Sequence, residues 1–261
     1  MLSLGTWLWV GAAGLFLATL MPLSRMVTDP RHRAYYAVLA SVTGIASAAY
    51  VVMALGFGSI VVGGDELLVV RYLDWLFTTP LLVLYLGLLC RPGRRVLAGA
   101  IVADVVVIAT GVAADLLSGG AAAAAFVVST AAFGALLYML VRTLPARATT
   151  GSVSSVTFTK LRNLTVVLWS LYPVVWLLTA SGLGLLNPAT ENMVVVYLDF
   201  ISKAGFVLIA VHHSHALDAI ADDEIGLGDD GGGFADDGIG LGDDGDHDDS
   251  DVTIDGGTGA D

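Results

Sequence analysis

Seven separate stretches of this chain run to about twenty consecutive, mostly apolar residues, the length a helix needs to cross the hydrocarbon core of a bilayer. They fall at 4–23, 33–56, 67–90, 94–116, 121–141, 156–180 and 188–213. Lipid offers the backbone no hydrogen-bond partner, so a spanning segment must satisfy its own N–H and C=O groups as a helix. The expectation is an all-α membrane protein, a seven-transmembrane-helix bundle, in the cell membrane and in contact with lipid. Charged residues make up only 14% of the chain, against about 25% in soluble domains.

The breaks between stretches carry turn chemistry: Thr28-Asp29-Pro30, Gly63-Gly64, Arg91-Pro92-Gly93, Ser118-Gly119-Gly120, and the segments 147–155 and 181–187. The second and fifth stretches are rich in Ala and Gly, which suits close helix packing in lipid. The first lacks a basic start and is long enough to remain as a span.

The net charge of −12 is a property of one end. Fifteen acids and no Lys or Arg follow Ile220, so residues 217–261 read as an acidic, Gly/Asp-rich disordered tail, separate from a domain at 1–216. Within it, ADDEIGLGDDG at 221–231 returns as ADDGIGLGDDG at 235–245. A docking element or divalent-ion binder is the second reading, but the pattern lacks the ordered ligand spacing of a calcium loop. The tail's acidity argues against nucleic-acid binding.

Orientation follows from the loops. Arg25, Arg31, Arg33, Arg91, Arg94, Arg95, Arg142, Arg147, Lys160 and Arg162 fall after stretches one, three and five, and no Lys or Arg follows two, four or six. The positive-inside rule then puts the N-terminus outside and the C-terminus in the cytoplasm. Trp7 and Trp9 suit an interfacial aromatic belt. Cys90, the single cysteine, excludes a disulfide framework and reads as a small buried hydrophobe. The His212-His213-Ser214-His215 run reads as interfacial residues at a helix end, not a metal site. No activated serine, metal cluster or phosphate loop points to an enzyme.

Charge inside the spans carries the chemistry. Arg71 and Lys203 are the cations there; Asp74, Asp104 and Asp199 are the acids singled out. A charge in hydrocarbon costs on the order of 3 kcal/mol or more and usually marks function. Asp199 and Lys203 are four apart, and Arg71, Asp74 and Thr78 follow at i, i+3 and i+7, so each set shares a helix face. Folding both faces inward brings two cations to two anions. A desolvated lysine can lose its proton and become a nucleophile, which suits Schiff-base formation with an aldehyde. Trp75, and Trp169, Tyr172 and Trp176 at helical spacing, are either core packing or the walls of a slot for a flat cofactor. The residues alone leave open a lysine-bound cofactor, an ion path, or a neutral cluster that only fixes helix packing.

Three segments carry a resemblance: RYLDWLFTTPLLVLYLGLL at 71–89, LRNLTVVLWSLYPVVWLL at 161–178 and VVVYLDFISKAGF at 194–206. Over residues 4–215 the chain resembles the haloarchaeal microbial rhodopsins, most of all the sensory rhodopsin II (phoborhodopsin) subgroup. The resemblance implies all-trans retinal, covalently bound as a Schiff base on Lys203. Asp74 matches the main counterion and proton acceptor, Asp199 the second counterion, and Arg71 the arginine beneath them. Tyr50 and Tyr172 match tyrosines of the counterion network and pocket. Trp75, Trp169 and Trp176 match the tryptophans around the chromophore, and Thr78, Val107, Gly111, Ser129 and Pro173 match pocket positions.

Within that family, pumps carry a carboxylate eleven residues after the counterion, where this chain has Tyr85. A phenol, ordinarily titrating near ~10, is a poor donor at neutral pH, and slow proton return suits a sensor. Ser202 and Tyr197 match sensor positions, the latter a transducer contact, and Val107 is consistent with blue-shifted absorption. Ser129-Thr130, Asp104 and Glu191 resemble the pump pattern, whereas Ser181 replaces a release acid. Asp74, where chloride pumps have threonine, disfavours a chloride pump. The implied function is a photoreceptor, not an enzyme, signalling blue-green light to a two-helix membrane transducer for phototaxis. The alternative is a light-driven outward proton pump; a retinal-free transporter is the third. A homo-oligomer is left open.

Overall fold

The computed structural model describes residues 4–62, 65–147, 153–178, 183–214 and 217. Its helices are α1 (Leu4–Thr28), α2 (Arg33–Ala54), α3 (Val69–Cys90), α4 (Arg94–Leu116), α5 (Gly119–Tyr138), α6 (Val153–Leu178), α7 (Pro188–Phe200) and α8 (Phe206–His212). A π turn, Ile201–Gly205, joins α7 to α8 in one seventh span, and a second, Met139–Thr143, extends α5. Among the described residues seven helical spans are long and apolar enough to cross a membrane. α1 to α5 each pack on the next, α6 meets the fifth span at the Met139–Thr143 turn, and the seventh span closes the ring against α1 and α6. Phe16, Leu17, Val102, Val127, Val167 and Leu208 are more than half exposed, an apolar girdle that water would not tolerate and lipid does.

The spans lie close to where hydropathy puts them, with two differences. α1 continues to Thr28, because nothing before Asp29-Pro30 breaks it. Between α2 and α3 stands an antiparallel hairpin, β1 (Ser59–Val62) with β2 (Asp65–Leu68), paired Ser59 to Leu68 and Ile60 to Leu67. The sequence reading took Gly63-Gly64 as a break alone; neither SIVV nor DELL alternates apolar with polar, so periodicity does not declare a strand.

Up-and-down connectivity collects the basic residues at the end where α1, α3 and α5 finish, opposite the hairpin. That basic end is knitted by Asp29, whose Oδ2 accepts from His32 Nδ1 at 2.8 Å and from the Tyr36 hydroxyl at 3.1 Å. Burial pushes the Asp29 carboxyl up, but the bonds from His32 and Tyr36 and the charges of His32 and Arg31 outweigh it, holding it below the ordinary carboxylate value. Lys160 reaches His213 Nε2 at 2.8 Å, while His213 Nδ1 donates to Ile209 O. The histidine run is thus helix-end bonding as far as it is described.

Two apolar clusters fill the bundle. The larger, near the basic end, gathers Tyr36, Leu82, Tyr85, Leu86, Phe158 and Phe206 among others. The smaller, toward the hairpin, holds Leu8, Leu15, Tyr50 and Met53. Between them the interior turns polar.

Candidate functional site

Lys203 lies within the π turn, the wide helical geometry that recurs at functional sites. Its side chain is 2% exposed. Nζ donates to Asp74 Oδ2 at 2.5 Å and to Asp199 Oδ1 at 3.3 Å. One cation from the seventh span therefore stands between two carboxylates, one on its own helix and one on α3. Asp74 and Asp199 are each 1% exposed, so burial makes pairing obligatory.

The two acids differ in their remaining partners. Asp199 accepts from the Tyr50 hydroxyl at 2.7 Å, Trp75 Nε1 at 2.9 Å and the Tyr172 hydroxyl at 2.9 Å. Donors from α2, α3 and α6 thus converge on one carboxylate. Asp74 keeps its Oδ1 buried with no hydrogen-bond partner among the described residues. Thr78, fully buried, spends its hydroxyl on the Asp74 backbone carbonyl.

Gly11 permits the Tyr50 contact. A Cβ there would stand 2.7 Å from the Tyr50 ring, too close for two carbons, so α1 can approach α2 only without a side chain at this point.

From Lys203 a cavity of about 180 Å³ crosses the bundle to α4 and α5. Trp75, Trp169, Tyr172, Pro173 and Trp176 line it from α3 and α6, and Val107, Gly111 and Ser129 from α4 and α5. Trp75 and Tyr172 meet edge to face at 5.1 Å. The Ser129 hydroxyl donates to Val107 O at 2.9 Å and ties α5 to α4. Ser202 is buried, donates to Asp199 O at 3.2 Å and engages Tyr172. Every pocket residue expected from sequence, apart from Thr78, lines this cavity.

Arg71 corrects the expectation of two cations meeting two anions. Among the described residues Lys203 alone pairs both acids, and Arg71 donates to Asn192 Oδ1 at 2.8 Å on α7. Helical spacing put Arg71 on the right face but not at the right height: it lies one turn from Asp74 toward the hairpin end.

Sequence reasoning also missed Asp115, a further span acid. Near the C-terminal end of α4, it accepts from Trp176 Nε1 at 2.8 Å and from the Tyr72 hydroxyl. Phe126, stacked on Trp176 at 4.1 Å, was missed as well. An acid near a span end passes for interfacial; its pairing with two aromatic donors is the signal, and it appears only in three dimensions. Asp104, by contrast, accepts from Thr79 at 2.7 Å in the interior.

Tyr85 is fully buried in the larger apolar cluster, edge-on to Tyr35 and Phe206. Tyr197 is 63% exposed on the outward face of α7. Ser181, His215 and the repeats of the acidic tail lie outside the described residues.

Residues 3–217 match the family described as bacteriorhodopsin-like protein. Sensory rhodopsin-2 of Halobacterium salinarum is 47% identical over 219 residues, covering 84% of this chain and 92% of that protein. A bacteriorhodopsin of a Haloterrigena species (strain arg-4) is 43% identical over 225 residues, covering 82% and 90%. Among solved structures, the thermophilic rhodopsin from Rubrobacter xylanophilus superposes with a TM-score of 0.78 at 39% identity, covering 82% of this chain and 97% of that one.

Proposed function

Since the chain belongs to the bacteriorhodopsin-like family of multi-pass membrane proteins, whose members imply a retinal chromophore, we propose that it is a sensory photoreceptor. In this reading all-trans retinal is covalently held on Lys203, the N-terminus is outside, and the signal passes to a two-helix membrane transducer. The observation that carries it is the buried Lys203 amine, clamped between Asp74 and Asp199 at one end of an aromatic-walled cavity. The site suits the group: a long apolar slot begins at a buried nucleophile, and Asp74 Oδ1 has acceptor capacity to spare.

When bound, retinal would supply a light-driven double-bond isomerisation, and the Lys203 nitrogen that holds it would carry the proton to be moved. The residues of this chain do the rest. In the dark Asp74 and Asp199 neutralise the cation at Lys203. Asp199 is committed to Tyr50, Trp75 and Tyr172, so Asp74, the nearer carboxylate with an unused oxygen, receives the proton. Neutralising that pair cancels the charge contact between α3 and the seventh span, a local electrostatic change able to bias a two-state bundle. The end of α6 remote from Pro173 is then less tightly held and moves. Tyr85, a phenol in an apolar cluster, supplies no rapid return path, so the altered state lasts. Exposed Tyr197 offers the partner helix a surface. Tuning to blue-green light and a role in phototaxis complete the reading.

Adding all-trans retinal to the purified protein tests it. A visible band that forms in wild type and not in Lys203→Ala supports the attachment; no band in wild type sinks it. Slow recovery of the dark band after a flash, hastened by azide, supports the sensor. Fast recovery without azide would favour an outward proton pump, the alternative supported by the buried Asp104–Thr79 pair.

A further inference from the structure

The wall across the bundle from Lys203 carries a carboxylate that the photoreceptor reading leaves without a role. Asp115 lies one turn beyond Gly111 on α4, and both line the cavity that begins at Lys203. α4 packs against α3 and α5, on the far side of the ring from the seventh span. Asp115 is thus at the end of the slot away from the attachment lysine.

Its surroundings suit an anion. One oxygen accepts from Trp176 Nε1 at 2.8 Å, the other from the Tyr72 hydroxyl. Neutral donors from α6 and α3 thus serve the acceptor-only pattern of an ionised carboxylate, and the nearby guanidinium of Arg71 is directed to Asn192. The contact also fixes the wall. Trp176 stacks on Phe126 with their planes 15° apart, and Tyr72 is edge-on to Trp75 at 5.3 Å.

We propose that Asp115 is a negative charge built into the far wall of the chromophore cavity, and that it sets the colour the protein answers to by moving absorption to longer wavelength. This rests on the retinal reading. A cationic conjugated chain attached through nitrogen carries its positive charge near that nitrogen in the ground state, and excitation shifts the charge toward the free end. Anions at the nitrogen, here Asp74 and Asp199, stabilise the ground state and raise the excitation energy. An anion at the far wall stabilises the excited state and lowers it. Inside the bundle this attraction is weakly screened, so Asp115 opposes the blue-shifting effect of the two counterions.

The test is the absorption spectrum of the full chain reconstituted with all-trans retinal, for wild type and for Asp115→Asn, Asp115→Ser and Asp115→Glu. Asparagine keeps an acceptor for Trp176 and removes the charge; serine is a second neutral variant should asparagine fail to assemble. The neutral variants are expected to absorb at shorter wavelength, and Asp115→Glu to stay near wild type. Tryptophan fluorescence of the retinal-free protein reports whether Trp176 keeps its place. A blue shift with unchanged emission supports a charge effect. A blue shift found only with altered emission, and shared by Asp115→Glu, overturns it in favour of a positioning role. An unshifted or red-shifted band in the neutral variants overturns it outright. A wild type that forms no band overturns the retinal reading instead.

Discussion

Lys203 lies closer to Asp74, 129 residues away on α3, than to Asp199, one turn away on its own span: 2.5 Å against 3.3 Å. The long-range contact is the tighter one, so the charge at Lys203 joins two helices rather than decorating one. Removing one partner of such a buried pair costs about 3–5 kcal/mol.

Asp74→Asn takes away the nearer acceptor and leaves Lys203 with Asp199. The variant is expected to bind retinal yet show no proton transfer to residue 74 on illumination. Infrared difference spectroscopy reads this directly: a carboxyl-protonation band present in wild type disappears. Its persistence in the variant would assign the acceptor role elsewhere.

Tyr50 holds Asp199 from α2, and Gly11 makes room for it. Tyr50→Phe should lower stability by about 1.5–3 kcal/mol, the range for a hydrogen bond to a charged group. Gly11→Ala should cost a comparable ~1–3 kcal/mol by overpacking the Tyr50 ring. Thermal denaturation of both variants and the double variant checks the link: acting through the same contact, the two losses combine to less than their sum.

Tyr85→Asp puts a carboxyl eleven residues after Asp74, inside the larger apolar cluster. Recovery of the dark band should quicken about a hundredfold or more, the lower end for positioned general acids, and lose its sensitivity to azide. Unchanged recovery would show that Tyr85 is not what slows proton return.

Asp29 gives a pH-dependent prediction at the basic end. Its carboxyl is held below the ordinary value by His32 and Tyr36, so the folded state favours the anion. The stabilisation is present above the ordinary carboxylate value and is lost as pH falls through the depressed one. Asp29→Asn should therefore be less stable than wild type near neutrality, by roughly 1 kcal/mol for this partly exposed group, and the gap should close in acid. A gap that stays constant with pH would mean that the carboxylate charge contributes nothing.

Span number and span limits were legible in the chain itself, whereas the pocket positions on α4 and α5 came from the family resemblance. A helix in lipid satisfies its own backbone, so hydropathy and breaks such as Asp29-Pro30 and Arg91-Pro92-Gly93 decide the elements locally, without reference to neighbours. Spacing likewise put Asp199 and Lys203, and Arg71 and Asp74, on shared faces. The partners were settled only by tertiary structure. That Asp199 collects Tyr50, Trp75 and Tyr172 from three other helices, that Arg71 turns to Asn192, and that Asp115 takes Tyr72 and Trp176 depend on the relative height and rotation of packed helices. Helical periodicity fixes the face a residue occupies along its own axis; it carries no information about how far a neighbouring helix slides along that axis, and in this bundle that slide decides which charge meets which.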